Sequence, residues 1–92
     1  MPVEVRVPTI LRTYTAGEKV VSADGTSVEA VVADLDARYP GIADRLVDES
    51  GLRRFVNVYL NDEDVRFLEG LQTAVADADS ITILPAVAGG RR

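Results

Sequence analysis

The chain has 92 residues, 47% hydrophobic and 27% charged, the size and balance of one soluble globular domain with one modest core, and not those of a disordered or membrane chain. It contains no cysteine and no histidine, which excludes disulfides, zinc sites built from those residues, a thiolate nucleophile and the usual general base near neutral pH. The net charge is −5 and Lys19 is the single lysine among 10 basic residues, so nucleic acid is excluded as the expected partner and a basic patch on a protein is favoured.

No apolar run approaches the ~20 residues of a membrane-spanning helix, and Met1-Pro2-Val3-Glu4 lacks the basic and apolar regions of a signal peptide. A cytoplasmic location without membrane contact is the expectation. Val3, Val5 and Val7 alternate with Glu4 and Arg6, predicting a half-buried strand that Pro8 stops. Thr9 to Gly17 reads as a connection too long for a two-residue hairpin, and 18–22 as a second strand returning beside the first.

Ala23-Asp24-Gly25 is turn chemistry, and Thr26-Ser27-Val28-Glu29 fits a capping box in which Thr26 caps a helix and Glu29 reaches back. Val28, Val31, Val32, Leu35 and Tyr39 then form one apolar stripe, and Pro40-Gly41 ends the helix. Residues 42–47 suggest a short helical turn, followed by a loop at 48–51. The β-branched and aromatic run 54–60 predicts a strand, with Asn61-Asp62-Glu63-Asp64 as a polar turn leading into a returning strand at Val65-Arg66-Phe67. After an irregular stretch between Gly70 and Asp77-Ala78-Asp79, residues 80–84 form a last strand with Ile81 and Ile83 on one face, terminated by Pro85.

The order strand, strand, helix, strand, strand, strand predicts an α+β fold, a mixed sheet packed on one main helix in the β-grasp (ubiquitin-like) manner. Residues 1–84 are expected to form the domain and residues 85–92 a flexible tail carrying Gly-Gly and two arginines.

The acidic run Asp62, Glu63, Asp64 lacks the alternating ligands and distal glutamate of a calcium loop and reads as a solvated turn. Asp77 and Asp79 have no third partner for acid-base chemistry. Neither a phosphate loop nor an activated serine is present, and no metal site is expected. Leu84 falls opposite the core face of its strand and is expected to be exposed at the root of the tail, where Val87 and Tyr59 would complete a partner-binding patch. Gly89 and Gly90 remove side chains from the end of the tail, so that it can thread a channel too narrow for a Cβ.

With these blocks in view, Pro8-Thr9-Ile10-Leu11-Arg12, "RFVNVYLNDEDVRF" at 54–67 and "DADSITILPAVAGG" at 77–90, the whole chain resembles the ubiquitin-like sulfur carriers of the MoaD/ThiS family. Within it, the nearest likeness is to the carrier of a cysteine-biosynthesis route. The resemblance implies that an E1-like enzyme, using its own ATP and Mg, adenylates the Gly90 carboxylate and that sulfide or a persulfide then yields a thiocarboxylate. It further implies a PLP-dependent synthase as sulfur acceptor and a zinc metalloprotease that trims the tail or releases the product, leaving this chain a carrier that binds no cofactor. Cysteine is the favoured destination, beside thiamine, molybdopterin and sulfur-containing secondary metabolites.

This sequence departs from the family in one respect: Gly90 is followed by Arg91 and Arg92, so its carboxyl group lies in a peptide bond. Either proteolysis removes the two arginines or they are additions that keep this form inactive. Two other readings stand beside the carrier: a ubiquitin-like modifier conjugated to lysines, and a non-covalent interaction module with an inert tail.

Overall fold

The alternation of valine with charged residues becomes strand β1, Val3–Arg6, in the computed structural model, which describes residues 2–49, 51–53 and 56–85. Val3, Val5 and Val7 are buried while Glu4 and Arg6 are exposed, as a two-residue period on a half-covered sheet requires. Beyond Pro8, Thr9–Leu11 makes a 3-10 turn that buries Leu11. The connection then folds around Thr15, whose fully buried hydroxyl donates to the Glu18 carbonyl at 2.9 Å, while the Glu18 N–H donates back to Thr15. Strand β2 therefore begins two residues after its expected start, at Val20–Ala23, because Glu18 is engaged in closing this loop. It pairs antiparallel with β1, Val5 opposite Val21.

Helix α1, Val28–Arg38, buries Val28, Val31, Val32 and Leu35, the predicted stripe, with Tyr39 half-buried at its C-cap. The predicted capping box is corrected. Ser27, not Thr26, is the N-cap, its hydroxyl accepting from the Ala30 N–H at 3.1 Å. Thr26 is unavailable because its carbonyl accepts from Val75, and Val28 donates to Thr73, tying the helix start to residues 73–75. Glu29 does not reach back; its carboxylate accepts from the Gln72 side chain at 3.4 Å. Ser27→Ala should accordingly cost about 1 kcal/mol, and Thr26→Ala less than about 0.5 kcal/mol. Paired chemical denaturation of the two variants checks the assignment.

From the last turns of α1 the Asp36 carboxylate accepts from the Gly41 and Ala43 N–H groups at 3.0 and 3.2 Å, satisfying donors at the start of the next helix. Gly41 has φ +100, a left-handed conformation suited to glycine, and leads into helix α2, Ala43–Leu46. Where a loop was expected at 48–51, β3 (Val47–Asp48) pairs antiparallel with β4 (Gly51–Leu52), and Ser50 lies outside the described residues.

Strand β5, Val56–Leu60, is followed by the two-residue turn Asn61-Asp62, whose φ values of 49 and 77 match the primed turns of tight hairpins. The returning strand is thus β6, Glu63–Asp64, and the strand expected at Val65–Phe67 is corrected to a 3-10 turn capped by the Asp64 carboxylate, which accepts from the Arg66 N–H. A two-residue turn brings the chain back at once, and the Asp64 cap then bends it off the sheet. The last strand, β7, runs Ser80–Pro85, one residue past its expected end. Proline can occupy a strand's last place because its carbonyl remains an acceptor.

The five longer-range strands form one mixed sheet in the order β2-β1-β7-β5-β6. First and last strands lie side by side and parallel, Val5 beside Ile81, and every other neighbour is antiparallel. Val3, Val5, Val21, Val58, Ile81 and Ile83 cover the inner face and join the α1 stripe, Ile42 and Leu46 in one core. This is the β-grasp architecture.

Asn61 locks the β5–β6 turn to β7. Its side chain donates to Asp79 at 3.0 Å and accepts from the Ser80 N–H at 2.9 Å. Hydrogen bonds from the Ala76 N–H and from Asn61 hold the Asp79 carboxyl below its ordinary range. A depressed folded pKa contributes stability at pH values above the ordinary carboxylate range, and that contribution is lost as pH falls through the folded value. Melting temperature should fall with acid below about pH 4, and Asp79→Ala should show a smaller acid-dependent fall than the parent protein.

Candidate functional site

The parallel pairing of β1 with β7 fixes where the chain leaves the sheet. Strand alternation that buries Ile81 and Ile83 turns Thr82 and Leu84 outward, and Leu84 is 44% exposed. On the neighbouring strand Asn57 stands opposite Leu84, and Tyr59 opposite Thr82. Tyr59 is therefore on the same outer face as Leu84, one diagonal step away and half-buried. Of the predicted partner-binding residues the structure brings these two together. Val87, Gly89, Gly90, Arg91 and Arg92 lie outside the described residues, as does the tail expected at 85–92 apart from Pro85.

Two cavities meet at Leu84. One, of about 110 Å³, is lined by Pro8, Ile10, Leu11, Arg45, Val56 and Ile83 as well as Leu84. Ile10 is 66% exposed at its rim, carried out of the core by the 3-10 turn that buries its neighbour Leu11. The other, of about 290 Å³, runs along Arg6, Pro8, Arg12, Lys19, Val20 and Thr82. Val20 is 43% exposed and stands across Arg6 and Thr82 from the strand of Leu84, so exposed apolar residues and cations share this face.

Local bonding positions these cations. Arg12 donates its Nε to the Val7 carbonyl at 3.1 Å. Arg45 donates its Nε to the Tyr14 hydroxyl at 2.7 Å, and that hydrogen bond raises its pKa further, so it is charged at every working pH. Arg6 makes a loose pair with Glu4 at 3.7 Å. Sequence reasoning missed Ile10, Arg6, Arg12, Lys19 and Arg45 as a cluster, since they come from three separated segments. The available signal was the block Pro8-Thr9-Ile10-Leu11-Arg12, whose Ile10 lies outside any strand pattern.

Among the described residues no group of three acidic residues could hold a metal ion, and no helix is long and apolar enough to cross a membrane. Among the described residues lining the two cavities the side chains are apolar or cationic, with Thr82, and include no carboxylate. The site's chemistry is that of a contact surface at the point where the chain departs.

Residues 5–90 match the ThiS family. The sulfur carrier protein CysO of Mycobacterium tuberculosis is 61% identical over 93 aligned residues, covering 98% of this chain and all of that protein. The crystal structure of the BexX/CysO complex of Amycolatopsis orientalis contains a chain with 58% identity and a TM-score of 0.91, covering 96% of this chain and 99% of that one. Small archaeal modifier protein 3 of Haloferax volcanii is 39% identical over 67 residues, 73% of each chain.

Proposed function

The chain belongs to the ThiS family, and from that premise we propose that it is a sulfur carrier whose Gly90 carboxyl group is the working end. The observation that carries this reading is the extent of the family match, which ends at Gly90 and leaves Arg91-Arg92 beyond it. The exposed Leu84 and the neighbouring Tyr59 on the outer face at the root of the tail support a partner contact there.

Removal of Arg91-Arg92 by a protease frees the Gly90 carboxylate. An oxygen of that carboxylate attacks the α-phosphorus of ATP on an adenylating enzyme, where Mg assists, and pyrophosphate leaves. Hydrosulfide then attacks the acyl carbon, AMP leaves, and the thiocarboxylate remains on the main chain. ATP and Mg belong to the partner, and this chain supplies a recognition surface and a carboxyl group. It is a carrier acted on by enzymes and not an enzyme itself. It works in the cytoplasm, where ATP is available.

Similarity to proteins named CysO favours cysteine as the destination of the sulfur, with a PLP-dependent synthase as acceptor and a metalloprotease for trimming or release. The BexX/CysO complex supports docking of such a carrier on a second protein. Intact-mass measurement after incubating the form ending at Gly90 with ATP, Mg, sulfide and an adenylating enzyme should show a gain of ~16 Da, oxygen replaced by sulfur in a covalent acyl product. No gain with any competent enzyme would remove the proposal.

The likeness to an archaeal modifier favours a second reading, conjugation of Gly90 to lysines of other proteins. Denaturing, reducing immunoblots separate the two, because isopeptide ladders survive reduction and hydroxylamine whereas a thiocarboxylate gives no ladder.

A further inference from the structure

Overall charge and local charge disagree at the root of the tail. The chain carries 15 Asp and Glu against 10 Lys and Arg, yet the two cavities meeting at Leu84 are lined by Arg6, Arg12, Lys19 and Arg45 and, among the described residues, by no carboxylate. We propose that this groove docks an acidic protein surface, in which partner carboxylates face Arg6, Arg12 and Lys19 around an apolar contact with Leu84 and Val20. The proposal rests on the carrier reading and names the chemistry of the adenylating partner's surface. It reverses the partner charge expected from composition alone.

Three observations support that occupant. Lys19 and Arg12 are not ion-paired to another described residue, whereas Arg6 shares its charge with Glu4 at 3.7 Å, so Arg12 and Lys19 carry the unpaired positive charge of the groove. The cations surround an exposed leucine and an exposed valine, a combination that suits a protein contact with an apolar centre and a charged rim better than a bare phosphate chain. The rest of the molecule is net negative, so an acidic partner is attracted at this groove and repelled elsewhere. Such an arrangement orients the encounter and presents the tail to the partner first.

The test uses the form ending at Gly90, which retains every described residue, with an enzyme that gives the sulfur mass gain. The rate of carboxyl charging is measured against carrier concentration from low to high salt. The KM for the carrier should rise about tenfold between roughly 25 and 250 mM NaCl, as steered association between opposite charges does. Arg12→Glu and Lys19→Glu should each raise KM about tenfold at low salt and blunt its salt dependence, with a smaller effect on kcat. Glu69→Lys changes the net charge by the same amount with the opposite sign, away from both cavities, and should leave KM within about twofold. Circular dichroism melting checks folding, and exposed Lys19 carries the test if Arg12→Glu does not fold.

KM values indifferent to salt and to both groove reversals would overturn the inference while the mass gain leaves the carrier reading standing. An equally large fall in KM for Glu69→Lys would assign the result to net charge and overturn it too, as would Lys19-dependent binding of a single-stranded 20-nucleotide RNA at physiological salt. Absence of sulfur gain in the parent protein at every salt concentration would overturn both readings together.

Discussion

Incubated with ATP, Mg, sulfide and a competent adenylating enzyme, the 92-residue chain is expected to keep its mass, while the form ending at Gly90 gains ~16 Da in a covalent acyl product. The difference lies in which residue carries the terminal carboxylate: Gly90 in the shorter form, and Arg92, behind two bulky side chains, in the 92-residue chain. Adenylation needs a carboxylate oxygen as nucleophile, and in the longer chain the Gly90 carbonyl is an amide to Arg91, whose oxygen is neutral and whose nitrogen lone pair is delocalised. Within the shorter form, Gly89→Val should reduce charging by at least about 100-fold, equivalent to about 2.7 kcal/mol of activation free energy, if the end of the chain must thread an enclosed channel. Mass gain by the 92-residue chain would place the reactive group elsewhere, and normal charging of Gly89→Val would remove the threading argument.

Gly25→Ala is expected to be the most damaging conservative substitution in the domain, costing about 2–3 kcal/mol. A Cβ built on Gly25 falls 2.7 Å from the Val31 backbone nitrogen and 2.9 Å from the Ala30 carbonyl carbon. These atoms belong to the first turns of α1, which cannot retreat without unseating the buried Val28 and Val31 and breaking the bonds from Val28 to Thr73 and from Val75 to Thr26. For a domain of this size the melting temperature should drop by roughly 10–20 °C. Gly17→Ala provides the contrast: nothing lies within 4 Å of its built Cβ, so only the strain of φ +86 remains, about 1 kcal/mol. Thermal denaturation of both variants decides the matter, and equal losses would mean that the helix contact relaxes around the added methyl and does not demand glycine at position 25.

The elements legible in the sequence were those whose side chains repeat with the period of their backbone. Val3, Val5 and Val7, the α1 stripe and Ile81 with Ile83 all declared their buried faces, and the outward direction of Leu84 followed from the same alternation. Errors occurred where a distant segment competed for a local group. Thr26 lost the helix cap to Ser27 because Val75 claims the Thr26 carbonyl, forty-odd residues along the chain by the order of the sequence. Val65–Phe67 has the composition of a strand, but the tight turn at Asn61-Asp62 and the Asp64 cap redirect it into a 3-10 turn, leaving Phe67 88% exposed.

At the candidate site the division is similar. The proposed chemistry of the chain end rests on the order of residues alone, because Gly-Gly, the missing cysteine and histidine, and the peptide bond from Gly90 to Arg91 are covalent facts that no folding alters. Composition also bounded the molecule to one core and excluded a conventional nucleophile. The charge of the docking face could not be read so, since net charge sums over the whole chain while a partner senses only what lies within about a Debye length of about 8–10 Å. Only the sheet order, with β1 against β7 and β2 at its edge, and the 3-10 turn after Pro8 gather Arg6, Arg12 and Lys19 around Leu84. Local periodicity and covalent order were determined by the sequence itself; the sign of the field at the root of the tail was decided by tertiary structure, because it depends on which distant residues become neighbours.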